Sequence, residues 1–203
     1  MYGYPNREKP DHLKKADEEF IKAVTANVSR EEASDYYAAK GWEFGRKGDY
    51  DTAMKRFNQA WLLNPDSYKP YWGFGILLKQ QANLPEAVTH FEKALSLMDK
   101  EEGTKPGLLI ETAQTHMFLG VMTRTNSADK TESDGHFSRA NELFSEAITL
   151  RPQHAQAYDR WANSLYWQGD YEKAWKMVEK ARSLGHDFKP EFIDSLSRKM
   201  PEP

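Results

Sequence analysis

The sequence predicts an all-α protein built from antiparallel helix hairpins, and three observations carry that expectation. Residue types recur every 34 positions, small and bulky residues share one helical face within each recurrence, and Gly, Asp and Pro punctuate the intervals. Tyr37, Gly41, Tyr50, Ala53, Phe57, Ala60 and Pro65 return 34 positions later as Tyr71, Gly75, Leu84, Ala87, Phe91, Ala94 and Asp99. Downstream, Phe137, Ala140, Phe144, Ala147 and Pro152 return at the same distance as Tyr171, Ala174, Val178, Ala181 and His186. The two pairs are out of phase, because Ala87 and Ala140 lie 53 residues apart, one period plus 19. The extra chain is expected partly at Lys100–Gly107, before a helix that begins near Leu108, and partly in the polar stretch Arg124–Gly135, where Thr, Asn, Ser, Asp, Lys and Gly replace apolar residues and no core contact is expected to order the chain.

The spacing has a packing reason. Each first helix needs a small residue where its partner crosses closely, and Gly41, Gly75, Gly120 and Ala162 supply it. The second helix presents Ala53, Phe57 and Ala60 four and three residues apart, hence on one face. Gly48-Asp49 and Gly169-Asp170 make the tight connections, while Pro65 and Pro152 follow helices they cannot continue.

At the N-terminal end, residues 1–10 read as a flexible tail and 11–28 as a capping helix whose Leu13, Ala16, Phe20 and Val24 form one apolar stripe. Ser29 followed by Glu32 is a capping-box signature that starts the next helix near Arg30. Residues 29–198 form the solenoid, with hairpins over 34–67, 68–101, 108–154 and 155–188. Pro190 opens a last helix whose Phe192, Ile193 and Leu196 cover the final hairpin, and 199–203 is expected to fray.

The aromatic, the Gly or Ala, and the Ala-x-x-x-Phe-x-x-Ala series closed by Pro resemble the tetratricopeptide repeat, over about three quarters of the chain and in four copies. That resemblance implies a right-handed superhelix with a concave groove lined by the first helix of each hairpin. Counted from the small crossing residues, the groove positions are Ala38, Trp42 and Arg46, then Lys69, Trp72, Ile76 and Lys79, then Gln114, Met117, Val121 and Arg124, then Gln156, Asp159, Asn163 and Trp167. Each Trp has two readings, as a ligand anchor or as packing between helices. An aromatic and aliphatic floor edged by Arg and Lys suits a peptide with apolar anchors and acidic character. Relatives that grip the C-terminal carboxylate of chaperones carry Lys and Asn where this chain has Ala38, Trp42 and Gly73, so a clamp of that type is not expected.

Nothing in the residues suggests chemistry. The six histidines include no pair three or four apart on one helix, Gly73-Phe74-Gly75 has no third Gly and no preceding strand, and neither a phosphate-binding loop nor a nucleophile elbow occurs. The expectation is therefore a non-enzymatic scaffold with no cofactor and no metal. With 28 basic residues against 31 acidic ones the net charge is -3, which gives nucleic acid no basic field to follow. Cysteine is absent, and no apolar run approaches the roughly 20 residues of a membrane span.

The expected partner is a protein or peptide ligand, and a homo-oligomer is compatible with the sequence. The alternative is a structural subunit of a larger or self-associating assembly, an envelope complex among them. The expected compartment is the cytoplasm, or the periplasm or a lipid-anchored location if an export signal precedes the sequence.

Overall fold

The computed structural model describes residues 10–99, 103–126 and 130–203. Among these the regular structure is helical, with no strand, and it forms two compact units, Met1–Lys100 and Glu101–Pro203.

Unit 1 comprises α1 (Asp11–Val24), α2 (Arg30–Arg46), α3 (Tyr50–Leu63), α4 (Tyr68–Gln80) and α5 (Leu84–Leu97). Its helix starts follow local chemistry. The Glu32 N–H donates to Ser29 Oγ at 3.1 Å and the Ser29 N–H donates to Glu32 Oε2 at 2.9 Å, completing the capping box and holding the Glu32 carboxyl below its usual range. Asp49 accepts from the Thr52 N–H at 3.1 Å, and Ser67 caps α4.

The helices of unit 1 meet over glycine. A Cβ on Gly41 would lie 2.6 Å from the Phe57 ring, one on Gly73 2.4 Å from the same ring, and one on Gly75 2.4 Å from the Phe91 ring. Phe57 of α3 thus fills the space that α2 and α4 leave by having no side chain, and Phe57, Phe74 and Phe91 are fully buried beside Ala53, Ala60, Ala87 and Ala94. Each such ring contributes about 2 to 3 kcal/mol by burial. The turn after α2 holds Gly48 at φ +79°. The equivalent slot 34 residues on holds Ala82 at φ +59°, a conformation an L side chain adopts at a cost.

Unit 2 comprises α6 (Lys105–Asn126), α7 (Thr131–Leu150), α8 (Ala155–Gln168), α9 (Tyr171–Ser183) and α10 (Pro190–Lys199). Gly120 again marks the crossing of a first helix on its partner, but less tightly: a Cβ there would stand 3.1 Å from the Phe137 ring. Leu196 of α10 is fully buried against Ala174, Trp175 and Val178, with Phe192 and Ile193 packed beside it.

Four sequence expectations change. The polar stretch 124–135 is mostly helix: α6 runs through Asn126 and α7 starts at Thr131, while 127–129 lie outside the described residues. The extra residues lengthen the two helices to 22 and 20 residues, and polar contacts hold them, since Ser133 is fully buried and donates to the Gly120 carbonyl at 2.9 Å. Part of the other insertion, 100–102, also lies outside the described residues. Its remainder carries the start of α6 at Lys105, which is buried and paired with Glu146 at 3.1 Å.

The expected frayed end is held as well. Trp175 Nε1 donates to the Met200 carbonyl at 3.0 Å and Arg182 pairs with Glu202 at 2.6 Å. The N-terminal helix stops at Val24, short of the expected 28, and buries no residue. Phe20 reaches the Tyr37 ring at 5.4 Å, whereas Leu13 remains 42% exposed. The expected tail at 1–9 lies outside the described residues.

Candidate functional site

In unit 1 the predicted positions converge. Trp42 of α2 and Trp72 of α4 meet edge-to-face with ring centroids 5.7 Å apart, and Trp42 also packs on Phe57 at 5.1 Å. Both indoles are half-buried. Partial burial leaves room for both readings, as packing and as anchor. The Trp72 Nε1–H is buried without a hydrogen-bond acceptor, a cost a protein rarely leaves in place.

Farther along the same two helices come half-buried Ile76 and Lys79, four and seven residues after Trp72, and exposed Arg46, four after Trp42. Lys69 is held by Asp35 of α2 at 2.6 Å, an ion pair between the two first helices at the surface, worth no more than about 1 kcal/mol there. Asp35 shares the face and was not among the predicted positions. Ala38 is buried at 2% exposure, so it is a packing residue. Trp61 Nε1 donates to the Tyr71 hydroxyl at 2.8 Å and ties α3 to α4, which fixes the helix that carries Trp72.

In unit 2 the predicted positions separate into surface side chains and side chains committed to the fold. Met117 is buried at 3% exposure and so offers no face, because the helix turns that residue into its packing side. Arg124 is also a correction. Its guanidinium donates to Ser133 Oγ at 3.2 Å, to the carbonyls of Trp167 and Gln168, and to Asp134 at 2.7 Å, and it lies 4.6 Å over the Phe137 ring. It pins the end of α6 to α7 and α8 rather than edging a groove. Gln114 accepts from Arg160 of α8, and Asp159 stands 3.6 Å from His186. Val121 and Asn163 are half-buried, Gln156 is exposed, and Trp167 is 50% exposed.

Sequence reasoning missed one contact of a different kind: His116 of α6 and His136 of α7 face each other with Nδ1 atoms 3.0 Å apart. Twenty residues separate them, so no spacing rule along one helix could find them. Among the described residues no group of three or more His, Cys, Asp or Glu is placed to hold a metal, and no helix is long and apolar enough to cross a membrane.

The geometry of the hairpins has counterparts among known proteins. A tetratricopeptide-repeat family profile matches residues 34–67, the α2–α3 hairpin with its Gly41–Phe57 contact. Residues 34–67 thus match one repeat of the tetratricopeptide type, and the other described residues include further helical hairpins. The chain is 27% identical over 144 residues to the photosystem I assembly protein Ycf3 of Synechococcus elongatus, covering 70% of this chain and 80% of that one. It is 25% identical over 176 residues to human tetratricopeptide repeat protein 6, covering 78% of this chain and 34% of that one. In fold it is similar to PilW, a type IV pilus biogenesis factor, at a TM-score of 0.66 with 16% identity, over 95% of this chain and 79% of PilW. A thermophilic repeat protein of Thermus thermophilus matches at 0.61 with 16% identity, over 82% of this chain and 81% of that one. Repeats of this type serve as protein-interaction scaffolds, and the chain has that architecture.

Proposed function

We propose that the protein is a scaffold that holds a segment of another polypeptide against the first helices of its hairpins, with the α2–α4 face of unit 1 as its principal site. One observation carries this reading: Trp42 and Trp72, one from each of two first helices, meet edge-to-face with both rings half-buried, and Arg46, Ile76 and Lys79 follow them at helical spacing on the same helices. Aromatic anchors on helices that also carry cations favour a peptide that brings apolar side chains and carboxylates. In unit 2, Gln156, Val121, Asn163 and Trp167 offer a second surface that carries no cation of its own. No step of this function requires a catalytic group.

The relative named as a photosystem I assembly protein supports a role in holding a polypeptide during assembly. The second reading, a fixed subunit of an assembly, rests on the exposed Phe118 and Met122 of α6 and Trp167 of α8. Sedimentation of the purified chain separates the two, because a tight self-association that covers Trp42 and Trp72 removes the peptide site.

The direct test is selection of peptides from a random displayed library, followed by titration against Trp42→Ala and Trp72→Ala. Loss of about 2 kcal/mol, roughly 30-fold in Kd, with the helical circular dichroism intact is the expected outcome. Binding that is undiminished in folded Trp72→Ala would leave the indoles as packing residues and remove the proposed site.

A further inference from the structure

The His116–His136 contact has no part in the scaffold reading. Its position is set by the crossing of α6 on α7. His116 lies one turn before Gly120, where α6 approaches the Phe137 ring of α7 closely, and His136 adjoins Phe137. Ser133 bridges the same crossing through its hydrogen bond to the Gly120 carbonyl. The two imidazoles are thus held by a crossing that cannot slide without breaking both contacts. His116 is 7% exposed and His136 is half-buried, so the pair opens to solvent on the α7 side.

The separation is the informative quantity. Metal–imidazole bonds of about 2.0–2.1 Å, at angles between square-planar and tetrahedral, place two cis ligand nitrogens about 2.9–3.4 Å apart. The observed 3.0 Å lies in that interval. In the absence of metal the pair can share only one proton, one Nδ1 donating and the other accepting. A cation can take the place of that proton after a small rotation of the rings. The neighbouring hydroxyls do not compete, since Thr112 donates to the Leu108 carbonyl and Thr115 to that of Glu111. Glu132, one turn before His136 on α7, adds negative potential that acts on that ring.

We propose that His116 and His136 form a two-histidine site for a divalent transition metal, Zn2+, Ni2+ or Cu2+, which staples α6 to α7 within unit 2. Water on the solvent side of His136 completes the coordination, because the described residues bring no third protein ligand. The ion stabilises the longest hairpin of the chain and couples its stability to metal supply. The site is independent of the Trp42–Trp72 face and stands or falls apart from it.

The test uses the full chain with Zn2+ and then Ni2+ as sole ligand. Calorimetry is expected to give one ion per chain, and a metal concentration about 100 times Kd is expected to raise Tm by about 5 °C. His136→Gln, at a half-buried position, is expected to fold normally while weakening binding at least about tenfold and removing the Tm shift. A control variant carrying His12→Gln, His154→Gln and His186→Gln together is expected to bind as the parent does. Equal binding by the parent and His136→Gln, loss of binding in the control variant, or no heat at millimolar metal would each overturn the proposal and leave a hydrogen-bonded pair only. His116→Gln checks the buried partner, read by metal affinity in folded protein rather than by stability alone.

Discussion

Unit 1 brings its hairpin helices together by removing atoms, with Gly41 and Gly73 pressed on the Phe57 ring and Gly75 on Phe91. Unit 2 leaves more room at Gly120 and adds polar ties instead. Arg124 bonds residues of α7 and α8. Asn141 Oδ1 accepts from Trp161 Nε1 at 2.9 Å and from Gln168 Nε2 at 3.2 Å, which joins α7 to α8 through a side-chain amide. The difference teaches where each unit is vulnerable. Unit 1 should answer to changes of volume, because its close approaches have no slack, while unit 2 should answer to the loss of hydrogen bonds.

The largest effect should come from Phe57→Ala, which empties the space that two helices share around a fully buried ring and should cost about 4 kcal/mol. Hydrogen exchange followed through a denaturant series would show protection lost first in α2–α4 while α6–α9 keep theirs. Equal loss in both units would mean that they unfold as one, and the contrast between them would fail.

The next largest is a pH effect on unit 1. His90 is 2% exposed, and burial lowers its pKa to about 4, against a small raising effect of Glu86. A histidine whose folded pKa is depressed stabilises the fold above its unfolded pKa, and that stability falls as pH drops from about 6.5 toward 4, by about 3 kcal/mol in all. His136 in unit 2 shifts in the same direction, through burial and the nearby His116. Glu43, held at about 2 by Lys40 and Lys47, loses its ion pairs only at lower pH. Denaturant midpoints measured every half unit from pH 7 to 4 should trace the loss, and His90→Phe should flatten most of it. An unchanged slope in that variant would assign the acid sensitivity elsewhere.

A smaller contrast compares glycines directly. Gly75→Ala forces a methyl against the Phe91 ring and should cost about 2 kcal/mol, whereas Gly120→Ala, with its 3.1 Å clearance, should cost about 0.5 kcal/mol after a slight shift of Phe137. Matched urea titrations of the two variants measure the gap. If the costs are equal, the looser crossing of unit 2 is no more forgiving than the tight one.

Much of this architecture is legible in the residues because its repeat is set by volume. The glycines named from the 34-residue period are the ones found against phenylalanine rings, and the Ser29–Glu32 cap lies where its spacing puts it. Gly73 escaped notice as a contact of Phe57, since it pairs across hairpins rather than along the period. The polar contacts were less legible. Arg124–Asp134, Trp175–Met200 and His116–His136 are pairs whose partners meet only after helices cross, and polarity alone suggested loop or frayed chain for several of them. Of the candidate site, register placed Trp42 and Trp72 at corresponding positions of neighbouring first helices, and their rings meet. Met117 and Arg124 were misplaced because a first helix in unit 2 is longer and uses those positions for its own packing and pins.

Ala82 shows how repeated modules drift. Its slot in the α4–α5 turn is the one that Gly48 fills a period earlier, yet it carries a methyl at φ +59°. Such a left-handed alanine is strained by about 1 to 2 kcal/mol, part of which glycine would give back in unfolded-state freedom. Ala82→Gly should therefore raise stability by about 0.5 to 1 kcal/mol, or Tm by about 2 °C, in a calorimetric scan. The turn records a tolerated departure from the repeating module, and it names the position at which an engineer would first restore the consensus.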